Sequence, residues 1–263
     1  MELLRTEHIS KSYRMNQSGR NNPGQTRLIL RDICIYLEEG ECVSLLGLSG
    51  SGKTTLLNIM SGLVTPDSGQ VLLRGREITG KPGQISYMLQ KDLLLEHKRV
   101  IDNVALPLII RGMKKEEARA KADPYFGQFD LAGTQMLYPA QLSGGMRQRA
   151  ALLRTYLGSE GVILLDEPFS ALDMITRGQI HTWYMDIMQK IGFSTILITH
   201  DVDEAILLSD RVLLLTGTPG EIRHEITIGV PREERTDFSL TPEFAAYKRQ
   251  IRDILRAATE TGP

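Results

Sequence analysis

Cysteine is scarce in this chain: Cys34 and Cys42 are the two present, and both lie in apolar, strand-like runs. A disulfide-stapled scaffold is therefore excluded, and the pair reads as reduced core thiols of a cytoplasmic protein rather than a disulfide or metal site. Neither sign of charge is in excess. With 31 Lys and Arg against 32 Asp and Glu the formal net charge is −1, so no overall field draws the chain to nucleic acid or to an anionic membrane, and no nucleic-acid partner is expected. No apolar run approaches the roughly 18 residues needed to span a bilayer, and Met1-Glu2-Leu3-Leu4-Arg5 does not read as a signal peptide, so any membrane role has to use a partner. Internal repeats, low-complexity stretches and heptad arrays are missing as well. His8, His97, His181 and His224 fall in no metal-ligand spacing, and the single tryptophan, Trp183, reads as helix packing.

What is present is enough apolar residue, 41% of 263, for a real core. Residues 3–9 and 28–37 read as strands of an opening antiparallel sheet, joined by a polar Gly/Asn/Pro cluster over 16–24 that predicts a long exposed hairpin loop. Three further strands are predicted at Cys42-Val43-Ser44-Leu45-Leu46, Gln70-Val71-Leu72-Leu73-Arg74 and Ile85-Ser86-Tyr87-Met88-Leu89. From about 91 to 158 the texture turns helical, with Ala118, Ala122, Tyr125 and Phe129 at helical spacing, and Met146, Ala150, Leu153 and Leu157 likewise. Core strands return at 161–165, 195–199 and 211–215, around a helix carrying Ile180, Tyr184, Ile187 and Ile191 on one face. Alternating strands and helices of this kind imply an α/β core with a mostly parallel sheet, an N-terminal antiparallel β-subdomain and an inserted helical subdomain. The division expected is one domain over 1–263: antiparallel β-subdomain to about 45, core to 90, helical subdomain 91–158, core again 159–216, and a C-terminal strand and helix over 217–263. That last helix has Thr241 as its cap and Pro242 at its first position.

The chemistry centres on Gly47-Leu48-Ser49-Gly50-Ser51-Gly52-Lys53-Thr54, which fits the phosphate-loop pattern G-x-x-x-x-G-K-[ST] at every fixed position. A predicted strand precedes it and a predicted helix, beginning Thr54-Thr55, follows. Glycines at 47, 50 and 52 let the backbone fold round a phosphate with its N–H groups inward, and the helix N-terminus adds a favourable dipole. Lys53 supplies a point charge for the β- and γ-phosphates, and Thr54 a hydroxyl for Mg²⁺. The loop thus predicts a nucleotide with Mg²⁺.

A phosphate loop alone hydrolyses nothing. The apolar run Val162-Ile163-Leu164-Leu165 ends in Asp166-Glu167, and ligands of such sheets lie at the carboxyl ends of strands. Asp166 is placed to approach Mg²⁺, and Glu167, one residue on and facing differently, to polarise an attacking water.

Leu142-Ser143-Gly144-Gly145-Met146-Arg147-Gln148-Arg149 opens a helix with a second anion-binding terminus, a feature that phosphate-loop proteins in general lack. At this point the chain resembles the ATP-binding-cassette (ABC) family, whose signature is LSGG followed by a Gln/Arg-rich turn. The resemblance extends from about residue 3 to about 257, and it implies that the nucleotide is ATP. It implies that Gln90 ends a core strand, touches Mg²⁺ and the water, and signals to the helical subdomain. Ser170-Ala171-Leu172-Asp173 corresponds to the loop that contacts the other subunit, placing Asp173 beside nucleotide. His200, after Thr199, corresponds to the switch histidine on the γ-phosphate, and Tyr13 to the aromatic that stacks on adenine. Taken singly, a Gln or His at a strand end is an ordinary polar residue and a Tyr near a strand is ordinary core. The resemblance further implies a head-to-tail dimer in which Ser143, Gly144 and Gly145 of one copy close on the ATP of the other.

Within the family, Met88-Leu89-Gln90-Lys91-Asp92-Leu93-Leu94-Leu95, Asp166-Glu167-Pro168-Phe169-Ser170-Ala171-Leu172-Asp173 and the tail Thr241-Pro242-Glu243-Phe244 are similar to the ATPase subunits of nitrate, sulfonate and taurine-type importers, thiamine-precursor importers included. That group usually has Pro-Trp where Glu96-His97 stand here. The partners implied are a second copy, transmembrane permease subunits docked near 90–103 on an apolar ridge of Leu93, Leu94 and Leu95, and indirectly a periplasmic or lipid-anchored solute-binding protein. The implied location is the cytoplasmic face of the inner membrane, as a peripheral protein. A DNA-repair ATPase would need a long coiled coil, a translation-associated protein two cassettes, and a small-molecule kinase would have no use for Leu142-Ser143-Gly144-Gly145. An exporter cassette of the lipoprotein or macrolide type shares the ATPase chemistry and is the alternative.

Overall fold

A computed structural model of the chain describes residues 1–14 and 26–260, so the hairpin loop expected over 16–24 lies outside the described residues. Two compact units are formed, one by Met1–Gln84 with Ser194–Pro263 and the other by Ile85–Phe193. The first unit opens with β1 (Glu2–Arg14), β2 (Thr26–Glu38), β3 (Cys42–Gly47), α1 (Lys53–Met60), β4 (Ser68–Leu73) and the short β5 (Arg76–Glu77). The second holds β6 (Ser86–Met88), α2 (Val100–Val104), α3 (Leu106–Ile110), α4 (Lys115–Ala122), α5 (Pro124–Gln128), α6 (Gly144–Leu157), β7 (Val162–Asp166) and α7 (Met174–Ile191). The first unit then resumes with β8 (Ser194–Thr199), α8 (Val202–Leu208), β9 (Arg211–Thr216), β10 (Glu221–Thr227) and α9 (Pro242–Glu260).

In the first unit β2, β1, β4 and β5 form an antiparallel sheet in that order. Its strands alternate because one face is packed and the other wet: along β2, Ile33, Ile35 and Leu37 are buried while Asp32, Cys34, Tyr36 and Glu38 are exposed. The reading of both cysteines as core thiols therefore fails for Cys34, which the period of two turns outward, and holds for Cys42. Cys42 belongs to β3, which pairs in parallel with β8 on one side and β9 on the other, and all three strands are buried at every position. Both faces of these strands are covered, so they read as continuous apolar runs. Antiparallel β10 extends this layer beyond β9.

In the second unit β6 pairs in parallel with β7. Its first helix starts at Val100, so 89–99 is loop rather than the beginning of a helical region. Ala118 and Ala122 are buried on α4, but Pro124 opens a separate helix, since it has no N–H to donate and its ring clashes with a preceding carbonyl. The chain turns there, and Phe126 takes the fully buried place that helical spacing predicted for Tyr125. Trp183 is buried on α7, edge-on to Phe129 and covered by the Arg149 guanidinium 5.0 Å from its ring centre.

The C-terminal helix caps the first unit. Thr241 Oγ1 accepts from the Phe244 amide at 3.2 Å, and Phe244 and Ile251 of α9 pack with Leu46, Ala205, Ile206, Val212, Leu214 and Phe238. One buried cation ties this corner together. Arg235, 1% exposed, donates from Nη1 to the carbonyls of Leu207 (3.0 Å) and Ser209 (2.8 Å) at the end of α8, and from Nε and Nη2 to the Val230 carbonyl (2.9 and 2.7 Å). Arg235→Ala removes every one of these donors. Buried carbonyls left without a partner cost roughly 1–3 kcal/mol each, so a loss of about 3 kcal/mol is expected. In thermal unfolding of a chain this size that lowers Tm by roughly 6–12 °C, and an unchanged Tm would show that the carbonyls find other donors.

Candidate nucleotide site

The carboxyl ends of the parallel strands carry the polar residues. In the first unit Leu46 is opposite Thr199 and Gly47 opposite Leu215, so the loop from Gly47 and the residue after Thr199, the exposed His200, leave neighbouring strands at the same edge. The loop holds its shape because two positions tolerate no side chain. A Cβ on Gly47 would lie 2.4 Å from the Leu215 carbonyl oxygen; one on Gly52 would lie 2.7 Å from Leu30 Cδ2, and Gly52 has φ +102 besides. Gly52 is also the N-cap of α1, which accordingly has no side-chain cap and no acidic residue in its first turn. By contrast Ser143 caps α6, Asp173 caps α7 and Asp201 caps α8, each accepting from backbone amides of the first turn. Helix amides that no side chain caps are suited to an anion.

Lys53 is 9% exposed, and its ammonium lies on the loop, donating to the carbonyls of Gly47 (2.8 Å) and Leu48 (2.9 Å). Ser51 Oγ is buried within the same loop with no hydrogen-bond partner, and Gly220 lies so close that a Cβ there would touch the Ser51 carbonyl. An orphaned hydroxyl, a clustered cation and uncapped amides fit a polyphosphate. Ser49 and Gly50 are turn residues of the loop, and Thr54 and Thr55 lie in the first turn of α1. Tyr13, on β1, is 42% exposed with the Lys11 ammonium 5.6 Å from its ring centre; Lys11 itself is held by Asp67 Oδ1 (2.9 Å) and the Thr65 carbonyl (2.8 Å).

In the second unit Met88 is opposite Leu165, so the chain leaves β6 toward Gln90 and leaves β7 at Asp166 from one edge. Tyr87 donates its hydroxyl to Asp166 Oδ2 at 3.1 Å, and burial together with the Asp166 charge raises the phenol well above its ordinary range, keeping it a donor. Glu167 has φ +45, a left-handed conformation that turns its side chain away from the line of the strand. Gln90 Nε2 lies 3.4 Å from Glu167 Oε2 and 3.3 Å from Ser170 Oγ, while Ser170 Oγ donates to the Glu167 carbonyl at 2.9 Å.

The Ser143-Gly144-Gly145 turn and the Ala171-Leu172-Asp173 turn line a single open pocket of about 340 Å³. Gln148, on α6, donates to the Pro168 carbonyl and so ties the two segments together. Asp173 accepts from the amides of Ile175 (3.2 Å) and Thr176 (3.1 Å), and the Thr176 side chain and these amides hold its carboxyl below the usual range.

Residues 30–170 match the family model described as ABC transporter. The chain belongs to the ABC transporter family. It is 38% identical over 256 residues to the formylaminopyrimidine import ATP-binding protein ThiZ of Halalkalibacterium halodurans, covering 97% of this chain and 96% of that one. It is also 38% identical over 233 residues to the nitrate import ATP-binding protein NrtD of Synechocystis, covering 86% of this chain and 88% of the relative. A dimeric ATP-binding cassette solved in a post-hydrolysis state with ADP and Pi superposes with TM-score 0.71 at 28% identity, over 87% of this chain and 100% of that one. The chain is thus an ABC ATPase.

Two contributors to this cassette escape sequence reasoning. Tyr87 looks like another strand residue until the register puts its ring beside Asp166, and Gln148 sits inside the signature turn without a spacing that announces its partner. The apolar ridge expected at Leu93, Leu94 and Leu95 is also different: Leu94 is 6% exposed and Leu95 half-buried, so Leu93 alone stands out, at 52% exposed. Arg154 causes this by drawing the Asp92 and Leu93 carbonyls to α6, at 2.5 and 2.8 Å.

The loop glycines differ testably. Gly50 has φ +81 and open space where a Cβ would go, so Gly50→Ala costs about 1–2 kcal/mol for the left-handed backbone alone. Gly52→Ala adds the clash with Leu30 and is expected to lower Tm clearly further. Equal Tm values for the two variants would mean that the loop moves off Leu30 freely.

Proposed function

We propose that this chain is the ATP-hydrolysing subunit of an importer, coupling ATP binding and hydrolysis in a dimer to solute uptake through a membrane permease. The observation that carries the reading is the α1 N-terminus, capped by Gly52 in place of a side chain, with Lys53 and the orphaned Ser51 hydroxyl beside it. Import rather than export is favoured by the relatives, named for the import of a formylaminopyrimidine and of nitrate. The solute class is that of nitrate, sulfonate, taurine or thiamine precursors.

Amides of Leu48, Ser49, Gly50, Ser51, Gly52, Lys53, Thr54 and Thr55 receive the phosphates of ATP, and the Lys53 ammonium leaves its loop carbonyls to neutralise charge between the β- and γ-phosphates. Tyr13 stacks on the adenine ring. Mg²⁺ would be held by Thr54, Gln90 and Asp166, and supplies charge neutralisation on the phosphate oxygens. Tyr87 orients the Asp166 carboxylate through its hydroxyl. Glu167 accepts the proton of the attacking water, and the backbone turn at this residue aims its carboxylate toward Gln90 rather than along the strand. His200 donates to the γ-phosphate. Ser143, Gly144, Gly145 and Asp173 serve the nucleotide bound by a second copy, and their shared open pocket supports that reading, since a polar concavity built from a helix N-terminus is suited to phosphate oxygens.

The permease docks near 90–103, where Leu93 is the exposed apolar residue and Glu96 and His97 are exposed polar ones. A periplasmic or lipid-anchored binding protein delivers the solute to that permease. No helix among the described residues is long and apolar enough to cross a membrane; the likeness to import ATP-binding proteins supports peripheral attachment through the permease, at the cytoplasmic face of the inner membrane.

Glu167→Gln is expected to keep ATP binding, to lower turnover by about 10²–10⁴-fold, and to trap an ATP-bound dimer by size-exclusion chromatography. Turnover above about a tenth of wild type would remove Glu167 as the base. Stacking on Tyr13 reads a π-face rather than a polar edge, so ATP and GTP are both accepted, Tyr13→Phe binds normally and Tyr13→Ala binds weakly. Equal nucleotide affinity in all three proteins, measured by fluorescence titration, would dispose of the stacking.

A further inference from the structure

On the antiparallel sheet of the first unit, β1 carries a bulge facing β2: Thr6 is opposite Ile35 and Ile9 opposite Ile33, so Glu7 and His8 together face the single residue Cys34. His8 and, across from it, Asp32 both have φ +51, left-handed values that neither is forced into by neighbouring glycine. Such conformations cost of order 1–3 kcal/mol each and persist where the surroundings impose them. Here the surroundings do. Gly69 of β4 passes so close to the bulge that a Cβ on it would lie 2.3 Å from the Glu7 carbonyl oxygen, and the Asp32 amide is held by Ser10 Oγ at 3.0 Å. The consequence is that three side chains distant in sequence meet: His8 Nδ1 is 2.7 Å from Asp32 Oδ1 and 3.9 Å from Cys34 Sγ, with the three donor atoms within 4.8 Å of one another.

The geometry distinguishes two chemistries. In a relay that activates a thiol, the carboxylate and the sulfur occupy opposite nitrogens of the imidazole. Here both converge on Nδ1, which is the disposition of ligands round a common centre. The His8 amide also points at the sulfur, with N to Sγ 3.3 Å.

We propose that His8, Asp32 and Cys34 bind a zinc ion on the outer face of this sheet, with solvent as the fourth ligand. A thiolate, an imidazole and a carboxylate together select Zn²⁺ over Mg²⁺ or Ca²⁺, which prefer all-oxygen sets. Side-chain exposure of 76% for His8 and 66% for Asp32 leaves the site open to a hydrated ion. On binding, the Cys34 S–H bond breaks as the Zn–S bond forms and the proton passes to solvent; His8 keeps its proton on Nε2 and offers the Nδ1 lone pair, and no electrons are transferred.

The test uses the full chain, reduced and free of nucleotide, with Co²⁺ as probe. One equivalent of Co²⁺ should bring up a thiolate-to-cobalt charge-transfer band that Zn²⁺ abolishes, with close to one proton released per Zn²⁺. Cobalt at the candidate nucleotide site would have oxygen ligands and give no such band. Cys34→Ser should abolish the band and Cys42→Ser leave it intact, Cys42 being fully buried with its thiol pushed up to about 11 by that burial. His8→Asn and Asp32→Asn keep a residue that accepts the left-handed backbone, and each should weaken Zn²⁺ by more than about tenfold, since even an outer partner of a ligand is worth 10–100-fold. No band in the wild-type chain, or a band that persists in Cys34→Ser, would overturn the site. None of these readouts depends on ATPase activity, so the zinc site and the nucleotide reading fail separately.

Discussion

The close approach of the Leu215 carbonyl to Gly47 and of the Leu30 side chain to Gly52 is the constraint on which the first unit's chemistry rests. With the Leu215 carbonyl where a Cβ of residue 47 would be, and Leu30 where one of residue 52 would be, the loop is pinned between β9, β2 and its own strand. That pinning makes Gly52 the cap of α1, and because glycine has no side chain to accept from them, the first-turn amides carry no side-chain cap, an arrangement suited to an anion. The same packing brings Gly220 against Ser51, so strand pairing, loop shape and the uncapped helix end are a single arrangement. Relaxing the glycines would release all three together.

The second unit solves a different problem, which is to present two adjacent carboxyls in different directions. A regular strand would do this by alternation alone, but the chain leaves β7 after Asp166 and passes through a left-handed residue at Glu167. Asp166 is engaged by Tyr87, while Glu167 faces Gln90 and is braced through its carbonyl by Ser170. Gln148 then couples this turn to the helix that begins at Ser143. A backbone in a sparsely populated region, held by several hydrogen bonds at the end of a strand, is where functional residues concentrate.

Charge is handled locally. A net charge of −1 gives the molecule no long-range field, yet Arg235 is buried among carbonyls and Arg211 is enclosed by Glu41, Glu225 and the Tyr36 ring. Such groups are tolerated inside because nearly every donor is engaged. They hold corners of the fold and take no part in the candidate site.

Local chemistry made much of this protein legible from its residues. A phosphate loop is specified by glycine, lysine and threonine at fixed spacing within eight positions, the carboxylate pair by an apolar run that ends abruptly, and the cap of α9 by Thr241-Pro242; each depends on neighbours in the chain. The family followed from the order of such motifs, and the α/β architecture from alternating periods. What the tertiary structure decided depends on which strand lies beside which and in what register. Cys34 looked like core because its run is apolar, and pairing turned it outward. Pro124 broke a helix whose spacing looked continuous, moving burial from Tyr125 to Phe126. Tyr87 reached Asp166 only through the register of β6 on β7. His8 acquired Asp32 and Cys34 only because a bulge inserted one residue into β1, and a one-residue shift in a strand reverses the face of every side chain beyond it. Sequence spacing carries no trace of a partner some 25 positions away on another strand, since the contact is made by the sheet.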